Sequence, residues 1–295
     1  MRTPTRPVVL LVTCSLLPDG EEWYGTAHLP NAFAARGIDA RWVQWDDPTV
    51  DWSAGLVAVR STWDYEERHE EFLDWARTVP WMLNSAAIFT WNTDKSYLPE
   101  LAAAGVPVVP TVIVRDRAEL HAAIREFGSA VVKPTVGAGG RGVALFDVTD
   151  GAPVDLEGSG VGAGPWVVQP LVEAVRTEGE TSVYVLDGQV ASQVQKLPAA
   201  GEIRVHPEYG GSTVAAEVTE EAADLALRAV AAATSLLGER FDYARVDQMR
   251  LPDGTLAVSE LEVTEPGLYL ELVPHNAEAF ADLVVSRLSR SRSRA

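Results

Sequence analysis

The chain is poor in several things at once. Its 295 residues include one cysteine, Cys14. That excludes a disulfide framework or a cysteine-built metal site and suits a reducing, cytoplasmic setting. Lysine occurs only at 95, 133 and 196, and 24 basic residues face 42 acidic ones, a formal charge of −18. This balance argues against nucleic acid as a partner, since such binding rests on Lys and Arg neutralising phosphates. Any anionic ligand has to be held by a local group of cations and backbone amides against the overall field. No apolar run approaches the ~20 residues that span a bilayer, so no membrane partner is expected. The stretch PVVLLVTCSLL is too short for a signal peptide and reads as a buried first strand. The five histidines (His28, His69, His121, His206, His275) show no metal-ligand spacing. There is no G-x-S-x-G elbow and no evident base for Cys14, so a nucleophilic hydrolase is unsupported.

What is present is 47% hydrophobic residues, enough to bury a full core. The first ninety residues alternate strand-like runs (8–12, 40–45, 56–59) with helical stretches, one ending near Arg36 before Gly37 and one over 68–76. LLPDGEEWYGTAH reads as a loop, and the alternation predicts an α/β unit on a parallel sheet. Residues 84–94, polar and turn-prone, read as a boundary. Beyond them Asp116 and Glu119 resemble a capping box on a helix closed by Gly128. Strands follow at 130–133, 143–148 and 166–169, with a Gly-rich surface loop over 151–165. In the last third TSVYVLDG and ASQVQK pair around Asp187–Gly188, Thr219 caps a helix ended by Gly238, and ARVDQMRL pairs with TLAVSELEV across a PDG turn. The basic tail, 289–295, reads as a frayed terminus.

Residues 137–142, GAGGRG, formally match a dinucleotide fingerprint, but a strand follows where a helix is required, which counts against a nicotinamide-dependent oxidoreductase. A hairpin loop remains, in which Gly137, Gly139, Gly140 and Gly142 let backbone N–H groups approach phosphate, flanked by Lys133 and Arg141. Glu260 and Glu262 share one face of a strand, with Asp247 on the strand before it. Three clustered carboxylates are costly without a cation, and a hard oxygen site suits Mg²⁺. Lys95, Lys133, Lys196 and Arg204 lie beside loops and strand ends as counter-charges.

From NTDK at 92–95 to EVTEPG ending at 267, these motifs resemble, in order, those of the ATP-grasp superfamily, in the branch of glutathione synthetase and the ribosomal-protein glutamate ligases. The resemblance implies an α/β fold, α+β in part: a preATP-grasp substrate domain on a parallel sheet (1–92), a central lid (93–170) and a metal-bearing C-terminal unit (171–288). It implies ATP and Mg²⁺ as cofactors. Lys95, Lys133, Arg204 and the glycine loop would hold phosphates, and the backbone of Gln169, Pro170 and Leu171 would read adenine. Glu173 would meet the ribose, and Asp247, Glu260 and Glu262 the metal, the last where many relatives carry Asn. The implied reaction activates a carboxylate as an acylphosphate for attack by nitrogen, with Lys196, Arg204 and His206 as catalytic candidates. Arg60, following a strand in VRSTWDY, is the candidate for a substrate carboxylate; Trp63, Asp64, Tyr65 and Tyr209 would shape the pocket. Pro99 is expected to kink an otherwise unbroken helix. The partner is then a small amino-acid-like carboxylate, with a homodimer the commonest assembly. In length and wording the chain is similar to the cyclo-ligases of cycloserine biosynthesis. An intermolecular amide-forming ligase and a non-catalytic nucleotide-binding module are the alternatives.

Overall fold

Three sheets carry the chain in a computed structural model that describes residues 6–20 and 27–292. Part of the expected LLPDGEEWYGTAH loop (21–26) and the last three residues of the basic tail lie outside the described residues. The first sheet is parallel, with β1 (Val8–Thr13), β2 (Asp39–Gln44) and β3 (Leu56–Ser61) in the order β2-β1-β3. The second, antiparallel, takes β4 (Val112–Val114), β5 (Ser129–Pro134), β6 (Ala144–Asp147) and β7 (Trp166–Pro170) in the order β4-β7-β5-β6. The third, also antiparallel, orders β8 (Glu180–Leu186), β9 (Gln189–Leu197), β10 (Ser212–Ala216), β11 (Tyr243–Arg250) and β12 (Leu256–Glu262) as β10-β9-β8-β11-β12. The helices are α1 (His28–Ala35), α2 (His69–Thr78), α3 (Ala86–Asn92), α4 (Tyr97–Ala103), α5 (Arg117–Phe127), α6 (Glu220–Leu237) and α7 (His275–Arg292). None is long and apolar enough to cross a membrane among the described residues.

β1 and β3 are apolar on both faces, as strands covered on two sides must be. Leu10, Val12, Val57 and Val59 join a core with residues of α2, α3, α4 and α6; Val9, Leu11, Leu56 and Ala58 join a second with α1 and α7. The first sheet is thus covered partly by the chain's last helix. The expected caps form: Asp116 accepts from the Glu119 N–H, Thr219 from that of Ala222, and Gly128 and Gly238 end their helices at φ +72 and +65. Glu119 reaches back to the N–H of Arg115, one residue earlier than a capping box requires.

Three expectations change. Residues 84–94 are not a slack boundary, because α3 fills most of them and two asparagines clasp the third sheet. Asn84 donates to the carbonyls of Tyr243 (2.9 Å) and Val263 (2.8 Å) and accepts from Asp242 N–H (2.7 Å); Asn92 donates to Leu261 O (2.6 Å). Pro99 does not kink a continuous helix. It stands in the first turn of α4, where a backbone N–H has no helical partner. The tail is helical to Arg292, with Arg290 paired to Asp187 at 3.1 Å.

Asn84→Ala would strip two buried carbonyls and one N–H of their partners. It should destabilise the fold by about 3 kcal/mol, read as a lower midpoint in urea unfolding, while Thr90→Ala on exposed α3 surface should cost far less.

Candidate active site

The site is written in the register of the third sheet. Residues two apart share a face, and directly opposite residues on neighbouring strands touch. Lys196 on β9 stands opposite Glu180 on β8, Ser182 opposite Asp247 on β11, Asp247 opposite Glu260 on β12, and Arg245 opposite Glu262. One face therefore carries a charged array. Lys196 Nζ lies 2.9 Å from Glu180 Oε1 and 3.1 Å from Asp247 Oδ2, and the Arg245 guanidinium bridges Asp247 (2.8 Å) and Glu262. A bulge opposite Gln248 lets Ser259 Oγ reach Glu180 Oε2 at 3.0 Å. Lys95 arrives from the turn before α4 and meets Glu260 Oε1 at 3.1 Å and Gly137 O at 2.6 Å; Lys133, from β5, approaches Glu260 Oε2 at 4.0 Å. All three lysines of the chain stand here.

Two cavities open on this array. The narrower, about 140 Å³, is bounded by Lys95, Lys133, the loop of Gly137, Gly139, Gly140 and Arg141, the β7 end at Gln169, Pro170 and Leu171, and Arg204, Asp247 and Glu260. The wider, about 590 Å³, is bounded by Trp63, Arg141, His206, Tyr209, Arg245 and Glu265, among others. Ala138, Gly139, Arg141 and His206 line both. The glycine loop joins antiparallel β5 and β6, with Gly139, Gly140 and Gly142 at positive φ. It is latched to the first unit: Glu66 accepts from Ala138 N–H (2.6 Å) and pairs with Arg141, which also donates to Trp63 O (2.8 Å).

Several expected positions fall elsewhere. Arg60 lines neither cavity; its side chain is fully buried, lies over the Tyr243 and Phe280 rings and donates to Pro266 O at 2.6 Å. It emerges within β3, not after it, which turns it inward. Asp64 accepts from Trp45 Nε1 and Tyr65 packs on Phe72, so of VRSTWDY only Trp63 reaches a cavity. Glu173 lines neither cavity and pairs with Arg176 on the surface. The Leu171 N–H already donates to Ser129 O, and Gln169 donates through its side chain to Thr111. Arg204 pairs with Glu202 and stacks 3.5 Å from the centroid of Tyr209, at the rim of the narrow cavity. Both Asp247 oxygens are taken by Ser182, Arg245 and Lys196, so it stands behind the other two carboxylates. Sequence reading missed Glu180, Arg245, Glu66 and Glu265. The first two were within reach of the period-two rule from Ser182 and Asp247; Glu66 and Glu265 carry no local signal.

Electrostatically the array is short of positive charge. Among the described residues, five carboxylates (Glu180, Asp247, Glu260, Glu262, Glu265) face four cations (Lys95, Lys133, Lys196, Arg245). Burial raises an acid's pKa, but Arg245 and Lys196 overcome it at Asp247 and hold that carboxyl well below the usual range. At Glu262 burial wins, helped by Asp247 and Glu260 against Arg245, and the group is pushed up to about 7. Glu265 rises to about 8, through burial first and Glu262 next. Burial pulls Lys133 down, with Lys95 adding to it. No ready-made cage of three His, Cys, Asp or Glu exists among the described residues. The surplus of carboxylate nevertheless fits a divalent cation at Glu260 and Glu262, each of which keeps an oxygen without a hydrogen bond.

His206 is driven down to about 4 by burial and by the nearby charges of Lys196 and Arg245, and its Nδ1 is buried without a hydrogen bond among the described residues. The folded ring therefore stays neutral where an unfolded histidine, near ~6.5, would take a proton. Between those values the unfolded state binds more protons, so stability falls as pH drops through that window. The wild-type urea midpoint should fall relative to that of His206→Gln between pH 7 and 4.5; a constant offset would contradict a ring held neutral.

Residues 9–86 match the model of the D-cycloserine synthetase DcsG N-terminal domain, and residues 101–238 that of the prokaryotic glutathione synthetase ATP-grasp domain. The cycloserine biosynthesis protein DcsG of Streptomyces lavendulae is 33% identical over 286 residues, covering 90% of this chain and 94% of that protein. A glutathione synthetase of Rhodopseudomonas palustris is 32% identical over 113 residues, 37% of this chain and 36% of its own length. The crystal structure of D-cycloserine synthetase DcsG superposes with a TM-score of 0.82 at 31% identity, covering 95% of this chain and 99% of that one; the ATP-grasp ligase PsnB, at 18% identity and 0.64, shares the fold. The chain is an ATP-grasp ligase and belongs to the family of the cycloserine biosynthesis protein DcsG.

Proposed function

We propose that this ligase is ADP-forming, activates the carboxylate of O-ureido-D-serine with ATP and closes the activated acid into the cycloserine ring. Similarity to the Streptomyces protein over nearly the whole chain supports the substrate class. The observation that carries the chemistry is the shared wall: one glycine loop and His206 bound both cavities, so groups held in the two meet there. We assign the narrow cavity to ATP and the wider one to the amino acid, and take 1–92, 93–170 and 171–288 as the substrate, lid and metal-bearing parts.

Lys95, Lys133 and Arg204 would hold the phosphates, with backbone amides of the glycine loop beside them, and the β7 end at Gln169, Pro170 and Leu171 would carry the base. Lys196 and Arg245 are positioning groups that keep Asp247 ionised, and Lys196 also holds Glu180 in place behind Glu260. Bound Mg²⁺, held by Glu260 and Glu262, would offset charge on the phosphate oxygens. Transfer of the γ-phosphoryl group to the carboxylate gives ADP and an acylphosphate. The nitrogen bonded to the side-chain oxygen then attacks the acyl carbon and expels phosphate. After ring closure water removes the carbamoyl group from that nitrogen as carbamic acid, which breaks down to carbon dioxide and ammonia. Closure of the loop over both cavities excludes the water that would hydrolyse the acylphosphate. His206, on the wall of both cavities, is the candidate acceptor for the nitrogen's proton. Held at about 4 by burial before ligands bind, it has to gain basicity from the negative charge of the bound phosphates. The width of the second cavity is what favours the other reading, an intermolecular ligation with room for a second substrate.

The test is phosphate release from ATP and Mg²⁺ with amino acids supplied singly and with a second amine. Release with O-ureido-D-serine alone is expected, and an absolute need for a second amine would replace ring closure by intermolecular ligation. Glu260→Gln should lower kcat by at least about 100-fold, on the order of 2.7 kcal/mol, with the fold intact by circular dichroism.

The narrow cavity is below the ~300–1,000 Å³ of small-molecule sites, so the glycine loop has to lift to admit a nucleotide. Glu66→Gln, which weakens the latch by about 1 kcal/mol, should speed ATP association roughly fivefold in stopped-flow fluorescence.

A further inference from the structure

Five consecutive carbonyls after β12 are each taken by a different side chain. Tyr243 Oη donates to Thr264 O (3.0 Å), Trp63 Nε1 to Glu265 O (3.2 Å), and Arg60 Nη2 to Pro266 O (2.6 Å). Tyr184 Oη donates to Gly267 O (2.7 Å) and Asn276 Nδ2 to Leu268 O (2.9 Å). The donors come from the first unit, β8, β11 and α7. A loop segment rarely receives such an investment of buried donors, and its effect is to fix one side chain in space: Glu265, which lines the wide cavity. Glu265 is 9% exposed, and among the described residues its carboxylate makes no hydrogen bond and no ion pair. Every other buried carboxylate of the array has a cation or hydroxyl within reach. A buried carboxyl without a partner keeps its proton until a ligand supplies the missing positive charge, and then ionises.

We infer that Glu265 is the specificity-determining residue of the wide cavity, receiving the α-ammonium group of the amino-acid substrate. The inference rests on the ligase reading above and extends it to the group recognised. Arg245 lines the same cavity, so the cavity offers charges of both signs, as a zwitterion requires. The raised pKa of Glu265 has the sense expected of a carboxylate waiting for a cation, and a bound ammonium would bring it down. Arg60, by holding Pro266, is a positioning residue for this carboxylate.

The experiment compares O-ureido-D-serine with its deamino counterpart, 3-(ureidooxy)propionate, on wild type, Glu265→Gln and Glu265→Asp. Binding is read by the fluorescence of the tryptophans, among them Trp63 on the cavity wall, and turnover by phosphate release. Glu265→Gln keeps the shape and puts a neutral amide where the ligand-free protein holds a carboxyl raised by burial to about 8, so its thermal midpoint at pH 7 should hold, and the KM for ATP should not move. Wild type should prefer the amine-bearing compound at least tenfold. Glu265→Gln should abolish that preference by weakening the amine alone, and Glu265→Asp should restore part of it. Equal loss for both compounds, or a preference that survives in Glu265→Gln, would overturn the inference while phosphate release with ureidoserine leaves the ligase reading standing. If ureidoserine gives no turnover in wild type, the same comparison with D-alanine and its deamino counterpart, propionate, separates the two: a Glu265-dependent amine preference keeps the inference and discards the substrate, and its absence discards both.

Discussion

A carboxylate taken out of water has to meet a cation, and that constraint organises the centre of this molecule. Arg245 is the pivot. Buried within β11, its guanidinium joins Asp247 on its own strand to Glu262 on the next, and Lys196, two strands away on β9, joins Asp247 to Glu180 on β8. Each pair is dear to bury and dearer to break, because losing one partner strands a charge in a dry interior. The sheet is therefore locked in the register that sets Lys196 against Glu180 and Arg245 against Glu262. A slip of one residue would turn the whole array into the core beneath α6. All three of the chain's lysines stand at this face, where they offset buried carboxylates within a chain of net charge −18.

The same pivot explains why the first unit and the third are not separable bodies. Two cores run across them, with α7 lying on the parallel sheet and α6 sharing the opposite core. Asn84 and Asn92 bond the backbone of β11 and β12 directly, and Arg60 holds Pro266 from β3. Those contacts set the direction in which the chain leaves β12, and so where the last carboxylates of the array face. Arg60 acts on the site through the backbone it grips.

Much of this was legible in the sequence because it depends on local rules. Strand, glycines, strand predicts a hairpin and excludes a dinucleotide turn; Glu260 and Glu262, two apart, must share a face; Thr219, Asp116 and the closing glycines set helix ends with no help from tertiary structure. What was illegible depends on contacts far apart in sequence. Whether an arginine in a strand points at a ligand or a carbonyl is decided by the ring stack of Tyr243 and Phe280, some 180 and 220 residues on. A turn-prone run such as 84–94 reads as slack until the strand it clasps is known. Glu66 resembles any acidic residue in the first turn of a helix until the glycine loop, some seventy residues later, folds back onto it.

That last contact bears on how such a ligase keeps water from an acylphosphate. A loop that covered only the nucleotide would close whether or not an acid was present. Here the loop's latch, Glu66 and the carbonyl of Trp63, belongs to the substrate-facing unit, and Trp63 also lines the wide cavity and bonds Glu265 O. Trp63, on the wall of the wide cavity, thus holds both the glycine loop, through its carbonyl, and the Glu265 segment, through its indole. A ligand that shifts Trp63 changes the grip on Arg141, and a nucleotide that lifts the loop changes the pull on Trp63, so the two sites act on one shared element. Coupling of that kind is reciprocal. On the proposed assignment of the cavities, occupancy of one is therefore felt at the other through Trp63 and Arg141.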